Sequence, residues 1–238
     1  MMTFEECYKK AMQDASLEEF SDDALISKME FLYNELIRVN SYMNLTAITD
    51  VTGVVYRHIA DCLCVSKFIP ENSKVIDVGC GGGFPTLPLA IARPDLEITA
   101  LDSTAKKLEF VKSVANSLSR NLKTLPARAE DVANQSEFRE SFDVCVSRAV
   151  ARLSVLDELC LPFVRVGGLF LAMKGQDHKA ELDEAKGGIV KLGGKIISDG
   201  EYVIPDAGTR SVTVIEKVKN TPKSYPRAFA KIKKSPLL

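Results

Sequence analysis

The sequence predicts an α/β fold: a mostly parallel, seven-stranded sheet with helices on both faces, preceded by an N-terminal helical extension. Three observations carry this. From Lys74 onward, short apolar runs alternate with amphipathic stretches, the texture of strand–helix repeats. The first of those runs empties into "DVGCGGGFPTLPLA", four glycines within five positions at a strand's carboxyl end. Before Lys74, apolar residues recur at helical spacing instead.

The extension covers residues 1–70. "DDALISKMEFLYNELIRVNSYM" places Leu25, Met29, Leu32, Leu36 and Val39 on one helical face, with acidic residues at its start as the helix dipole favours. "NLTAITD" interrupts the pattern and offers Thr49 or Asp50 as the cap of a next helix, "VVYRHIADCLCVSKFI", which ends at Pro70. Residues 71–238 form the second part, expected to pack with the first as one compact unit. Its strands are "KVIDV", "EITALD", "LKTLPA", "FDVCVSR" and "GLFLAMKG", closed by an antiparallel pair, "KIISDGEYVIP" and "RSVTVIEKV". Its helices are "TLPLAIAR", "STAKKLEFVKSVANSLS" and "RLSVLDELCLPFVR".

Composition bounds the function. Of the 238 residues, 46% are hydrophobic, enough for a substantial core, and the formal net charge is −1. That balance hides an asymmetry: the tail at 217–238 holds seven Lys or Arg and no acid. No apolar run approaches the roughly 18 residues of a membrane span, and the acidic, mixed start does not resemble a signal peptide. The six cysteines are scattered, which fits buried free thiols in a reducing cytoplasm rather than a disulfide framework. "CLC" at 62–64 lacks a second ligand pair, so no metal site is expected.

The glycine loop narrows the ligand. A dinucleotide fingerprint requires Gly or Ala at 84, where Phe84 stands, and no G-x-x-x-x-G-K-[ST] phosphate loop occurs. What stands there is Asp77, Gly79, Gly81 and Gly83 in a D-x-G-x-G-x-G pattern. Bare glycines let a ligand lie against the main chain, and Asp77 can accept from an ammonium. Asp102, ending the second strand, is placed for ribose hydroxyls. After the third strand, the backbone at Ala129 and the side chain of Glu130 can meet an adenine edge, or Glu130 is a solvated loop acid. Ribose and ammonium without phosphate point to S-adenosyl-L-methionine.

The chain resembles the RsmG (GidB) family of bacterial 16S rRNA guanine-N7 methyltransferases. The resemblance rests on "NLTAI" at 44–48, "RHIADC" at 57–62, "DVGCGGGFPTLPLAI" at 77–91, "LDS" at 101–103, "RAED" at 128–131, "SRAVA" at 147–151, "LAMKG" at 171–175 and "TPKSYPR" at 221–227. These segments span nearly the whole chain in order. The chain departs from the commoner pattern at Cys62, Cys80, Gly82 and Thr86, small residues replacing small residues. The resemblance implies a Rossmann-like class I S-adenosylmethionine-dependent methyltransferase fold. It implies methylation of guanine 527 in 16S rRNA, with the small subunit or an assembly intermediate as partner. It also implies cofactor contacts at Gly79, Phe84, Ala129, Glu130 and Arg148.

The residues themselves offer little acid–base chemistry at the rim. "SRAV" stands where amine methyltransferases carry [DN]-P-P-[YF], and Cys145 and Cys160 read as core rather than nucleophiles. Guanine N7, with a free lone pair, suits such a site, so no general base is assigned. Ser147 and Arg148 end the fourth strand. Arg148 can clamp a phosphate, contact guanine O6, hold the cofactor's carboxylate, or form a structural ion pair. His58 and Asp61 share a helix face with Arg57 nearby, facing the site or satisfying one another. Lys174 reaches RNA phosphate or is a plain surface lysine. In the tail, Lys223, Tyr225, Arg227, Phe229, Lys231, Lys233 and Lys234 have the charge and aromatic mix that RNA attracts, or form a solvated terminus. Two rival functions are a small-molecule methyltransferase, which the basic tail opposes, and a non-catalytic RNA-binding module with a vestigial pocket. The default assembly is a monomer.

Overall fold

The computed structural model describes residues 2–175 and 178–238. Helix α1 (Phe4–Asp14) begins with a capping box in which Thr3 and Glu6 satisfy each other's amides. Helix α2 (Asp23–Met43) is capped by Asp22 and ends at Asn44 in the left-handed region. It buries Leu25, Met29, Leu32, Leu36 and Val39, the face that the spacing predicts. Helix α3 (Val51–Val54) is capped by Asp50, which accepts from the Gly53 amide at 2.7 Å.

The expectation of one regular helix from there to Pro70 is corrected. The chain widens into a π-helix at Val55–Ala60, returns to α4 (Asp61–Leu63), and closes with a 3₁₀ turn at Ser66–Phe68. A π-turn is rare and is frequently found at functional sites. Here it carries Arg57 and His58.

The second part runs β1 (Lys74–Val78), α5 (Thr86–Ala92), β2 (Glu97–Asp102), α6 (Ala105–Ser117), β3 (Leu122–Pro126), α7 (Ala129–Val132) and β4 (Phe142–Arg148). It continues with α8 (Leu153–Cys160), β5 (Val164–Lys174), α9 (His178–Lys191), β6 (Gly194–Ile204), β7 (Gly208–Lys217) and α10 (Phe229–Lys234). The helix expected over "RLSVLDELCLPFVR" stops at Cys160, because Pro162 cannot continue it, and the strand starts at Val164. The sheet order is β3-β2-β1-β4-β5-β7-β6. All pairs through β5 are parallel, and β7 is antiparallel to both β5 and β6. Strand order reverses between β1 and β4, which opens a crevice at their carboxyl ends.

Both faces of the sheet are covered, so its strands are apolar on both sides. Val75 and Val144 face one layer, with Leu89 and Ala90 of α5. Ile76 and Cys145 face the other, with Leu156 and Cys160 of α8 and Ile189 of α9. The N-terminal helices share a core with Leu87 and Ile91 of α5 and Val111 and Val114 of α6. The extension therefore roofs one helical layer and reaches the crevice from that side.

The tail folds back onto the α8 side. Ile232 of α10 is buried in the core there. Two of the tail's seven cations are structural. Lys217 is fully buried, donating to Leu161 O at 2.6 Å and Thr221 Oγ1 at 2.8 Å and pairing with Glu140 at 3.1 Å; burial pushes its pKa down to about 8. Arg227, expected at an RNA surface, forms a fork with buried Glu158, Nε to Oε1 at 2.8 Å and Nη2 to Oε2 at 2.6 Å. Tyr225 is half-buried, with Lys191 and Arg227 at 5.7 and 5.8 Å from its ring centre. Lys223, Lys231, Lys233 and Lys234 remain exposed.

Removing one partner of a buried, forked ion pair strands the other charge. Arg227→Ala is expected to lower stability by roughly 3–5 kcal/mol in urea unfolding. Lys223→Ala should stay within about 0.5 kcal/mol of the unmodified chain.

Candidate functional site

The crevice holds a cavity of about 400 Å³. Its floor is the glycine loop, suspended from β2: the Gly79 and Cys80 amides donate to Leu101 O at 2.8 and 3.1 Å. Asp102 lines the cavity and ties the loop in place, accepting from the Gly81 amide at 3.0 Å on Oδ2 and the Thr104 amide at 2.8 Å on Oδ1. Each oxygen keeps acceptor capacity for a ligand hydroxyl.

The glycines divide their work. Gly81 has φ +53° and a Cβ built on it meets nothing within 4 Å, so its bare face opens into the cavity. Gly83 is corrected: a Cβ there would lie 2.6 Å from Leu87 Cδ1, so it serves packing of the loop against α5. A Cβ on Gly79 would collide with Val150, which also lines the cavity.

Asp77 is corrected as well. Its side chain is fully buried beneath the loop, where Oδ2 accepts from the Thr86 hydroxyl at 2.6 Å and the Thr86 amide at 3.2 Å. Oδ1 has no partner among the described residues, and burial pushes the carboxyl up to about 7. Asp77 braces the first turn of α5 rather than forming cavity wall. Thr86, a β-branched residue at a helix start, is explained by that contact: its hydroxyl supplies a donor that the buried carboxyl requires.

The opposite wall is built from the extension. Asn40, on α2, holds the loop after it by accepting from the Leu45 and Thr46 amides at 2.6 and 2.9 Å. This brings Leu45 and Thr46 to the cavity. His58 stacks on Phe84 with ring centres 4.8 Å apart. Arg148 donates to Arg57 O at 2.9 Å, Asp61 Oδ2 at 3.0 Å and His58 Nδ1 at 3.2 Å. Since a guanidinium only donates, Nδ1 accepts and the ring proton sits on Nε2, which donates to Thr46 Oγ1 at 2.9 Å. Burial, then the Arg148 charge, pushes the His58 pKa down to about 4. Asp61 is buried and also accepts from the Tyr202 hydroxyl at 3.1 Å, with Arg210 Nε at 3.6 Å.

A second cavity of about 700 Å³ adjoins the first. The two share His58, Arg148, Ala149 and Val150. Its other walls include Arg57, Asp61, Lys174, Glu181 and Arg210. Lys174 lines it with its charge committed to Glu181 at 2.8 Å, and it also donates to Ala151 O, so a free phosphate clamp is not what it forms. Ser147 is corrected: fully buried, its hydroxyl donates to Val78 O at 2.7 Å and ties β4 to β1.

Phe84, Asp102, Ala129, Glu130, Arg148, Gly79 and Gly81 thus meet at one cavity. Ala129 and Glu130 lie in the first turn of α7, where amides have no partner within the helix. Open backbone at Gly81, a ribose-compatible carboxylate and those amides fit S-adenosylmethionine at its nucleoside end. Thr46, Lys107 and Arg128 also line the cavity, none of them a candidate from the sequence, and so does Phe229, expected at an RNA surface. The segment "NLTAI" held the signal for Thr46; Phe229 arrives only through the folded tail.

A family model described as rRNA small subunit methyltransferase G matches residues 25–198. A protein of Clostridium perfringens named ribosomal RNA small subunit methyltransferase G is 41% identical over 99% of this chain and 100% of its own length. One of the same name from Staphylococcus carnosus is 42% identical over 91% of this chain and 92% of its own. Among solved structures, M. jannaschii TYW2 in complex with AdoMet superposes with a TM-score of 0.52 at 18% identity, covering 68% of this chain and 76% of that one. That likeness speaks for the fold.

Gly81→Val should abolish S-adenosylhomocysteine binding in calorimetry; its φ of +53° strains any side chain, so the urea midpoint should fall while the transition stays cooperative. Gly83→Val should instead lose the transition itself, because its side chain meets Leu87 and Val111.

Proposed function

This chain belongs to the rRNA small subunit methyltransferase G family, and on that premise we propose that it methylates N7 of a guanine, at position 527 of 16S rRNA. S-adenosylmethionine, when bound, supplies an electrophilic methyl group on a sulfonium sulfur. Guanine N7 brings an in-plane lone pair and no proton, so positioning suffices. The observation that carries this reading is the state of His58. Its Nδ1 accepts from Arg148, its Nε2–H is given to Thr46, and its pKa is held near 4. A ring so engaged is a positioning element, not a base. The substrate is the small subunit or an assembly intermediate, in the cytoplasm, and the enzyme acts as a monomer with its extension and sheet as one unit. The exposed tail lysines meet RNA phosphate.

Incubation with labelled cofactor and small subunits, followed by mapping of the modified nucleotide, tests the reading directly. Label at an exocyclic amine or a pyrimidine would overturn it.

Single-turnover methylation at saturating RNA and cofactor should be flat from about pH 6.5 to 8.5, because His58 titrates far below that window. His58→Gln should lower the rate without changing that shape, and Arg148→Ala should lower it by about 10² or more.

Stability should carry the titration instead. His58 is protonated below pH 6.5 when unfolded but only below about 4 when folded, so stability falls as pH falls through that interval. Asp77, raised from 3.8 to about 7, has the opposite sign and loses stability as pH rises. The difference in urea midpoint between the unmodified chain and His58→Gln, followed from pH 7 to 4.5, isolates the histidine.

Replacing Lys231, Lys233 and Lys234 with Gln should flatten the salt dependence of RNA binding by roughly one slope unit per lost contact, with cofactor affinity unchanged.

A further inference from the structure

The second cavity contains an acceptor that the methyl-transfer reading leaves unused. Glu181 sits in the first turn of α9, with its side chain 22% exposed on the cavity wall. Both of its structural contacts fall on one oxygen: Lys174 Nζ at 2.8 Å and the Leu153 amide at 3.0 Å reach Oε2. Oε1 has no hydrogen bond among the described residues. Burial alone would raise this carboxyl, but the Lys174 ammonium and the Leu153 amide outweigh it and hold it below the usual carboxylate range. Glu181 is therefore a fixed, ionised acceptor with one oxygen to spare.

Its position relative to the first cavity matters. His58, Arg148, Ala149 and Val150 form the shared wall, and Glu181 lines the second cavity only. A purine in the second cavity with its N7 edge toward the shared wall turns the opposite end of its ring system away from the cofactor. In guanine that end carries the N1–H and N2–H₂ donors. In adenine it carries the N1 acceptor, which a carboxylate repels. From this geometry we infer that Glu181 is the specificity-determining residue for guanine, accepting from N1–H and N2–H₂ of a base held in the second cavity. Lys174 is the positioning residue that fixes it. Arg57 and Arg210 line the same cavity, each partly engaged, Arg57 Nε with Asp206 O and Arg210 Nε with Asp61. The inference rests on guanine N7 being the target.

The test uses the full chain and small subunits assembled from 16S rRNA carrying guanine, inosine or adenine at the modified position. Inosine keeps N7 and N1–H and lacks only the 2-amino group. The unmodified protein should prefer guanine to inosine by about tenfold or more in kcat/KM, as loss of one arm of a paired contact predicts. Glu181→Gln keeps an oxygen for the Leu153 amide; it should reduce the guanine rate and shrink the guanine-to-inosine ratio to within about threefold. S-adenosylhomocysteine affinity should be unchanged, since Glu181 is not on the first cavity, and this doubles as a check of folding. A ratio near one in the unmodified protein overturns the inference whatever the variant does. So does Glu181→Gln with its ratio intact. If the unmodified protein methylates none of the three RNAs, the proposed function itself has failed, a result distinct from either.

Discussion

The site depends on one guanidinium. Arg148 leaves the end of β4 at the point where strand order reverses; its three hydrogen bonds reach into the turn of helix at residues 57–61, and its guanidinium lies 5.8 Å from the Phe84 ring centre. Its side chain is 16% exposed and Asp61's is 6%. Charges this dry are tolerable only when each is paired and hydrogen-bonded. The carbonyl of Arg57, the carboxylate of Asp61 and Nδ1 of His58 meet that demand together. Asp61 is closed from its other side by Tyr202 and Arg210, so the network also ties in the β6–β7 hairpin. The helical extension is thereby locked to the sheet at its carboxyl edge, and the wall between the two cavities is a product of that lock.

The lock also sets protonation. Burial of His58, and then the permanent Arg148 cation beside it, makes its neutral form the stable one. A histidine so placed has exchanged the capacity to titrate near neutrality for a fixed tautomer. That suits a reaction in which the nucleophile brings its own lone pair, where orientation, not proton transfer, limits the rate.

Much of this was legible in the sequence, and what was not has physical reasons. The strands, the glycine loop and Asp102 are local signals: an apolar run, a spacing and an acid at a strand end. The amphipathic face of α2 is likewise a matter of period. Side-chain direction at a strand end is harder. Ser147 and Arg148 are neighbours, yet one points under the sheet and the other over the rim, because strand residues alternate. The phase is set by tertiary packing. The tail misleads for another reason. Composition counts charges without saying which find partners, and Glu158 lies 69 positions from Arg227. Nor does any short-range pattern announce that a helix will widen at Val55–Ala60.

The glycine loop shows how a motif read as a ligand cradle can answer mainly to the protein. Ala149, just past β4, adopts φ +56°, a left-handed conformation that side-chain-bearing residues seldom take. That turn lays Val150 over Gly79, and only a residue without Cβ fits beneath it. Gly83 is required by Leu87 and Val111 on the far side of the loop. Of these three glycines, Gly81 is the one whose empty Cβ position faces open space. The spacing D-x-G-x-G-x-G therefore records steric demands of the protein at Gly79 and Gly83, and at Gly81 a left-handed backbone, φ +53°, that opens onto the cavity. The acid that opens it holds Thr86 and with it the start of α5. A motif can thus be diagnostic of a cofactor while several of its residues answer to packing, because the protein's interior is what enforces the loop's shape.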